Sequence, residues 1–229
     1  MIADPTLHTP MWLSHHFSEA TPLYGGEAGI EIHPDRVMCQ GDSCNTSKLI
    51  LPNHSGSHVD APKHFIDDGN TITDYGPADW VFNNPHLLDI SVKPRQLLGK
   101  NDFKFLSDIP RNVDLLLIRT GFEEHRGEDL YWNGNPALHS ELAEIFKSSF
   151  PHLKAIGLDT ISVSSTHHRV AGRLAHTAFL REEIRLFEDL SLACVSSTES
   201  LIQVVALPLM IMNSDGAPCT VLGWEKTTS

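Results

Sequence analysis

Three histidines and one carboxylate lie within a single stretch of eleven residues, His54-Ser-Gly-Ser-His58-Val-Asp60-Ala-Pro-Lys-His64. Imidazole and carboxylate groups are ligands that divalent ions such as zinc and manganese accept in proteins. Gly56 tolerates a close backbone approach and a positive φ, whereas Pro62 fixes its own φ and restricts Ala61 before it. A short, rigid segment of this kind can hold several ligands in a preset geometry. We therefore interpret the stretch as a catalytic metal site.

Chance clustering is the competing explanation, because the chain contains 14 histidines. A single His-x3-His pair occurs more often at the surface or in a core than at a metal. The pair His54 and His58 is followed at close spacing by Asp60 and His64. This combination favours the metal site over chance.

Composition limits the classes of protein to consider. Lys and Arg number 17 and Asp and Glu number 29, so the net charge is −12 with histidine neutral. Nucleic-acid binding requires Lys and Arg for phosphate contacts, and no basic stretch predicts binding at a membrane surface. No signal peptide or membrane span is recognisable, and the four cysteines form no CxxC. We expect a cytoplasmic protein with reduced cysteines and no nucleic-acid or membrane partner.

The pattern of apolar runs predicts an α/β fold, with a central mixed β-sheet and few helices, in a single domain over residues 1–229. Continuous apolar runs at 114–120 and 153–158 are typical of strands covered on both faces. Further strands are predicted at 47–51, 86–92, 200–207 and 209–212. Helices are predicted at 136–150, from apolar residues at helical spacing, and at 177–187.

One short segment rarely completes a metal site, so further ligands are expected downstream. Asp159 follows a buried strand, and His176 and Glu188 flank the second predicted helix. The full set of downstream candidates is His152, Asp159, His167, His168, His176, Glu182, Glu183 and Glu188.

The motif resembles the signature of the cyclase family of metal-dependent hydrolases, which includes bacterial kynurenine formamidase and isatin hydrolase. The likeness covers nearly the whole chain. Further matching motifs are Thr21-Pro-Leu-Tyr24, Leu117-Ile-Arg-Thr-Gly121, Gly157-Leu-Asp-Thr160, Leu207-Pro-Leu209 and Asp215-Gly-Ala-Pro218. The resemblance implies a swivelling β/β/α type of fold, a small-molecule substrate, and a homodimer or homotetramer.

The resemblance also implies roles for the site residues. His54, His58 and Asp60 would bind one metal ion, and Asp60 could bridge to a second ion held by His176 and Glu188. The ion would be Zn²⁺ or Mn²⁺, with one or two bound. His64 would be the acid/base histidine, with a fourth ligand or a residue that orients a ligand as its alternatives. Glu188 could also transfer protons to and from the water, so its ligand and catalytic roles compete.

Three positions depart from the family pattern. Ser57 stands where threonine is usual, but both residues offer a hydroxyl. Gly25 replaces a proline in the turn after Tyr24, which should loosen that loop. Cys219-Thr220 stands where an arginine is often found. These departures put the substrate in question, whereas the ligands of the metal site are all present.

The predicted activity is the hydrolysis of an amide, either an aryl formamide such as N-formylkynurenine, as in tryptophan catabolism, or a cyclic amide such as isatin. A bound dication creates hydroxide near neutral pH, and a nearby histidine can protonate the leaving group. A lactone hydrolase or cyclase of the same family is the alternative. A non-catalytic metal- or ligand-binding protein on the same fold is the alternative of another class. Serine-hydrolase chemistry lacks a Gly-x-Ser-x-Gly motif, although Ser55 and Ser57 lie among the histidines.

Aromatic residues near the motif are candidates to stack an aromatic substrate. Trp12, Phe17 and Tyr24 lie on the loop-rich N-terminal segment, where we predict a substrate-binding role. For Phe65 and Trp80 the sequence favours packing in the core.

Overall fold

The computed structural model describes residue 8 and residues 10–26 and 29–226. The described residues form three α-helices, α1 (Asp129–Asn133), α2 (Glu141–Ser149) and α3 (Arg169–Arg181). Their strands are β1 (Pro10–Trp12), β2 (Glu31–Arg36), β3 (Thr46–Ile50), β4 (His58–Asp60), β5 (Val81–Phe82), β6 (Pro85–Asp89), β7 (Leu97–Leu98), β8 (Leu115–Arg119), β9 (Ala137–Leu138), β10 (Ala155–Leu158), β11 (Arg185–Glu188), β12 (Leu201–Pro208) and β13 (Gly216–Glu225). No helix among them is long and apolar enough to span a membrane.

Nine of the strands form one mixed sheet, in the order β5-β12-β13-β4-β11-β10-β8-β6, with β1 paired to β13. Strands β6, β8, β10 and β11 run parallel to one another. Strand β4 is antiparallel to both of its neighbours, β11 and β13. Parallel strands need crossover connections; α1 and α2 lie in the connection from β8 to β10, and α3 lies in that from β10 to β11. The α/β class with a mixed sheet and few helices is therefore confirmed.

Both faces of the sheet are buried. In β8, Leu115 and Leu117 belong to the core on one face, whereas Leu116 and Ile118 belong to the core beneath the helices. Successive side chains of a strand point to opposite faces, so an unbroken apolar run is what a strand covered on both sides requires. Helices α2 and α3 cover the second face, where the rings of Phe146 and Phe179 lie 5.9 Å apart.

The helix predicted at 177–187 is wrong in its boundaries. Helix α3 begins eight residues earlier, at Arg169, and ends at Arg181. Glu183 has a positive φ of 56°, which ends the helical path, and Arg185–Glu188 is a fully buried strand. The charges at 181–183 therefore mark the end of a helix and not its exposed face.

Two other predicted elements differ from the structure. The helix predicted at 136–150 begins at Glu141, because Ala137–Leu138 pairs with β7 as a short strand. The apolar run at 209–212 is not a strand, and its four side chains are exposed. Local apolarity predicted these residues as a strand, but β12 ends at Pro208 and the chain then turns at 212–213 toward β13.

Candidate metal centre

Strand pairing places three of the predicted ligands together. His58 and Asp60 are two residues apart on β4, so their side chains share one face. Glu188 of β11 lies directly opposite His58 in the ladder. His58 Nε2 is 3.4 Å from Glu188 Oε2 and 3.4 Å from Asp60 Oδ1. The three side chains are almost fully buried, so the cluster lies at the centre of the sheet.

His176 reaches the same cluster from the buried face of α3. Its Nε2 atom is 3.4 Å from Glu188 Oε1 and 3.6 Å from Asp60 Oδ2. The structure thus brings together four residues from β4, α3 and β11 that are up to 130 positions apart in sequence. These four residues are among the five that the sequence analysis proposed as metal ligands.

Backbone carbonyls fix the orientation of the two buried imidazoles. His58 Nδ1 donates to Gly56 O at 2.8 Å, and His176 Nδ1 donates to Gly172 O at 2.8 Å. A carbonyl oxygen only accepts, so each ring carries its proton on Nδ1 when neutral. Each Nε2 atom then presents a lone pair to the carboxylates, which is the arrangement typical of histidine ligands of a metal.

The loop before β4 explains the glycine in the motif. Gly56 has φ 58°, a conformation that residues with a Cβ rarely adopt. A Cβ at this position would lie 3.0 Å from the ring of Phe17. Gly56 therefore both turns the chain and offers its carbonyl to His58.

Asp215 connects the first and last histidines of the motif. Its Oδ2 atom lies 2.9 Å from His54 Nε2 and 2.8 Å from His64 Nδ1. His54 Nδ1 in turn lies 2.8 Å from Asp60 Oδ1. In the sequence, Asp215 belongs to one of the motifs that match the family, but no role for it was predicted. Its position just after the turn at 212–213 gives no local indication that it contacts His54 and His64, which lie 161 and 151 positions earlier.

Gly216 makes the space for His54. A Cβ at Gly216 would lie 2.3 Å from His54 Cε1. The residue pairs with Asp60 across the β13–β4 ladder, so the ring of His54 lies directly over the backbone of β13. The Asp215–Gly216 pair thus supplies both the polar partner of His54 and the gap into which its ring fits.

Neighbouring histidines keep the two buried carboxylates of the cluster ionised. Burial disfavours the charged form of Asp60, but hydrogen bonds with His54 and His58 outweigh burial and hold the pKa of this carboxyl well below its usual range. For Glu188, burial and the charge of Asp60 raise the pKa, but hydrogen bonds with His176 and His58 outweigh them and lower it to about 2. Both carboxylates are therefore ionised at neutral pH and need positive charge beside them.

The donor set fits a divalent ion. Asp60 Oδ2 is buried and has no hydrogen-bond partner among the described residues, and such an atom is costly unless a cation satisfies it. Two groups of ligand atoms each lie within 4.8 Å of one another: His54, Asp60 and His64, and His58, Asp60 and Glu188. Asp60 belongs to both groups, which suits a bridging carboxylate.

Glu188 is held firmly in place. Its Oε1 atom accepts hydrogen bonds from Ser162 Oγ at 3.0 Å and from Val163 N at 2.7 Å. These donors leave the carboxylate directed at His58 and His176. The contacts favour a ligand role for Glu188 over a mobile proton-transfer role.

A cavity of about 400 Å³ opens above the cluster. Its lining consists of Pro22, Leu23, Tyr24, His54, Gly56, His58, Asp60, His64, Phe65, Ile161, Ser162, Ser164, Arg169, Arg173, His176 and Glu188. Tyr24 therefore lies where the sequence analysis expected it. Trp12 and Phe17 line a different groove, together with Cys219 and Thr220, so the structure does not bring those two aromatics into this cavity.

Phe65 differs from the expectation that it packs only in the core. Its ring stacks on the imidazole of His176, with centroids 4.5 Å apart, and it also forms part of the cavity wall. Trp80 is buried as expected, beneath the guanidinium of Arg185.

The remaining downstream candidates lie outside the cluster. Asp159 accepts hydrogen bonds from Thr120 and Gly121 at the end of β8. His167 and His168 contact the backbone carbonyls of Asn133 and Arg95. His152, Glu182 and Glu183 are exposed. Of eight candidates, only His176 and Glu188 reach the site.

Fold and site together define a protein with a buried divalent-metal centre of histidine and carboxylate donors, set in the middle of a mixed sheet. The family model described as "Putative cyclase" matches residues 11–165. The chain belongs to this cyclase family, so the resemblance inferred from the motif is confirmed.

Similar proteins agree with this assignment. A kynurenine formamidase of Sphingopyxis alaskensis is 26% identical over 208 residues, covering 90% of this chain and 93% of the relative. A kynurenine formamidase of Bacillus cereus is 27% identical over 179 residues, covering 78% and 79%. A solved isatin hydrolase bound to the product analogue thioisatinate has the same fold, with a TM-score of 0.83, 18% identity and coverage of 97% and 94%.

Proposed function

We propose that this protein is a metal-dependent hydrolase that cleaves the amide bond of a small molecule with water. The observation that carries the proposal is the buried set of His58, Asp60, His176 and Glu188 at the base of an open cavity. Both imidazoles of this set are fixed with Nε2 toward the carboxylates. The relatives named kynurenine formamidase and the fold shared with isatin hydrolase support amide hydrolysis.

Five residues would hold the metal. His54, His58 and Asp60 would bind one ion, and His176 and Glu188 would complete a second position that shares Asp60. Zn²⁺ and Mn²⁺ both accept this donor set. A divalent ion held here would lower the pKa of a water to about 7 and polarise a carbonyl oxygen.

His64 would be the acid/base residue. Asp215 can only accept from His64 Nδ1, so that nitrogen carries a proton and Nε2 is left to exchange a proton with the substrate. His64 also lines the cavity, whereas Asp215 does not. This pairing resembles the use of a carboxylate to orient a catalytic histidine. His64 would then protonate the nitrogen that leaves when the amide opens.

The cavity suits an aromatic amide. Tyr24, Phe65 and Ile161 provide apolar wall, and a volume of about 400 Å³ is within the usual range for small-molecule sites. An aryl formamide such as N-formylkynurenine, or a cyclic amide such as isatin, matches these features. A lactone would fit the same site, because ester and amide carbonyls respond to the same chemistry.

Serine-hydrolase chemistry finds no support at the motif. Ser55 Oγ donates to Pro52 O at 2.6 Å, and Ser57 Oγ donates to Asp189 O at 2.5 Å. Both hydroxyls are buried and occupied by backbone carbonyls, so neither is positioned beside a base as a nucleophile must be. They instead fix the loop that carries the histidines.

Metal content and turnover test the proposal together. The protein is purified without added metal, its metal is measured, and hydrolysis of N-formylkynurenine and isatin is assayed before chelation, after chelation and after metal is restored. We expect turnover that chelation abolishes and Zn²⁺ or Mn²⁺ restores. Turnover that is insensitive to chelation, or a protein that takes up no metal, would contradict the proposal.

A further inference from the structure

We infer that the cavity selects a substrate that carries a carboxylate or an equivalent anion, through the guanidinium groups of Arg169 and Arg173. The inference rests on the proposed function, since it concerns the substrate of the same site. It names a substrate class and two specificity-determining residues that the metal centre itself does not require.

Helix α3 presents both arginines and a metal ligand on one face. Arg169, Arg173 and His176 are spaced i, i+4 and i+7, which is the spacing of residues that share one side of a helix. All three line the cavity. At a rise of about 1.5 Å per residue, the two arginines lie about 4.5 and 10.5 Å along the helix axis from His176. A single small molecule could therefore place its anionic group beside the arginines and its amide beside the metal ligands.

Neither guanidinium has a partner among the described residues. Two other arginines are engaged: Arg119 binds Asp89, and Arg126 binds the buried carboxylate of Asp189. Arg169 and Arg173 are exposed, and neither side chain takes part in an ion pair or hydrogen bond of the described residues. Two charged donors that face a cavity without a partner are free to bind an anion.

The charges that line the cavity leave a positive excess. Among the described residues that line it, the carboxylates are Asp60 and Glu188, and a bound dication would balance these two. The arginines then remain uncompensated, in a chain whose net charge is −12. They also lie in the first turns of α3, where the helix dipole adds positive potential. The local field thus opposes that of the whole protein and favours an anionic ligand.

The apolar wall specifies what the anion is attached to. Tyr24, Phe65 and Ile161 line the same cavity as the arginines. A ring would contact this wall, with its amide over the metal ligands and its anionic group directed along α3. We therefore assign the substrate to the class of aromatic amides that carry a carboxylate on the ring or on a short side chain.

The experiment compares two probes that differ in charge, N-formylanthranilate and formanilide, with the metal-loaded protein. We expect the wild type to hydrolyse the anionic probe with the higher kcat/KM. In the double variant Arg169→Gln/Arg173→Gln, the ratio of kcat/KM between the two probes should fall 10- to 100-fold, mainly through KM. Arg173→Lys should retain part of the preference, because it keeps a positive charge without the planar pair of donors. An unchanged ratio in the double variant would overturn the inference.

Arg181→Gln is the matched control. It removes an exposed arginine from the last turn of the same helix, outside the cavity, and should leave the ratio as in the wild type. The melting temperature of each variant shows whether α3 remains folded. A fall in the ratio for Arg181→Gln as large as for the double variant would mean that overall charge, and not the cavity, causes the preference.

Direct binding separates failure of this inference from failure of the proposed function. The hydrolase proposal is judged on its own test, the chelation-sensitive turnover of N-formylkynurenine and isatin, and does not depend on these two probes. Calorimetric titration with anthranilate and with neutral anthranilamide then tests the arginines without turnover. Weaker binding of anthranilate to the double variant, with no comparable loss for anthranilamide, would support the inference. Equal affinity of wild type and double variant for anthranilate would refute it.

Discussion

His64 differs from the other histidines of the motif in what holds it. Its ring stacks on His54 with centroids 3.9 Å apart, and Asp215 accepts its Nδ1 proton, but it contacts neither Asp60 nor Glu188 in an ion pair. His64→Ala should therefore lower kcat by a factor of about 10² to 10⁴, the usual range for loss of an acid/base group, while metal content stays near that of the wild type. Steady-state kinetics and metal analysis of one preparation check both statements. Wild-type turnover in this variant would remove His64 from the mechanism.

Asp215 should act through His64 and not on the substrate. Asp215→Asn keeps the shape of the side chain but loses the charge that accepts the Nδ1 proton, so we expect kcat to fall by about 10- to 100-fold. The double variant with His64→Ala should be no slower than His64→Ala alone, because residues that work as a unit give losses that do not add. Multiplicative losses in this double-mutant cycle would show that Asp215 has an independent role, such as positioning His54.

Protons compete with the metal for the buried histidines. In the metal-free protein, burial lowers the pKa of His58 and His176, but Asp60 and Glu188 outweigh burial and raise it above the usual value. A histidine whose pKa is raised by folding stabilises the folded state fully at pH values below its pKa in the unfolded chain, about 6.5. This stabilisation is lost as the pH rises through the pKa of the folded state. The metal-free protein should thus lose stability above neutral pH, where metal binds most tightly.

The measurement is the rise in melting temperature on adding Zn²⁺ or Mn²⁺ at several pH values. We expect this rise to grow between about pH 6 and pH 8, because metal then replaces protons that the site no longer holds. Calorimetry in buffers of different ionisation enthalpy should show protons released on binding. A metal-induced shift that is constant or that shrinks with pH would contradict the charge state assigned to the cluster.

Among elements, the close docking of α3 decides where His176 and the two arginines lie. Gly172 faces the loop after β10, and a Cβ there would lie 2.0 Å from Ser164 Oγ and 2.7 Å from Ser164 Cα. Gly172 also supplies the carbonyl that orients His176. Glycine is therefore required for the approach of the helix to the sheet.

Gly172→Ala should push α3 away from the sheet and weaken the metal position that includes His176. Overpacking of this kind costs about 1–3 kcal/mol, which corresponds to a fall in melting temperature of roughly 2–12 °C for a chain of this size. Metal stoichiometry and thermal melting provide the measurements. Leu174→Ala, which trims a half-exposed side chain of the same helix, should leave both unchanged. A Gly172→Ala protein with full metal content would show that the helix can move without affecting the site.

The same helix shows why only part of the site could be predicted from the sequence. His54, His58, Asp60 and His64 are adjacent in the chain, so their spacing alone revealed them. The resemblance to the family added His176 and Glu188, although the helix between them was misplaced. Asp215, Arg169 and Arg173 could not be found locally, because their relation to the site depends on the pairing of β4 with β13 and on the rotation of α3. The position of Phe65 in the cavity wall could not be predicted either, because the local sequence is the same for a ring buried in the core and a ring that lines a cavity.

At the scale of the whole molecule, the β2–β3 hairpin lies apart from the main sheet. Every residue of both strands is exposed, and they pair only with each other. A two-stranded ribbon is marginally stable at best in water unless it packs against another surface. Ile32 and Leu49 are direct cross-strand partners, so they form an exposed apolar pair on one face. These features support the proposal that the protein is a homodimer or homotetramer in which this hairpin contacts a second copy.

Light scattering after size exclusion should therefore give a mass of at least twice 25.4 kDa. Ile32→Glu with Leu49→Lys replaces the apolar pair by opposite charges, which preserves pairing within the hairpin but opposes burial against a partner. This variant should dissociate to monomers at concentrations where the wild type does not. The control pair, His33→Thr with Lys48→Thr, changes the next cross-strand partners and should leave the mass unchanged. A wild-type mass of 25.4 kDa would refute the proposed oligomer. A charged variant that remains oligomeric would show that the interface between copies lies elsewhere. The exposed apolar side chains of 209–212 would then be the next surface to substitute.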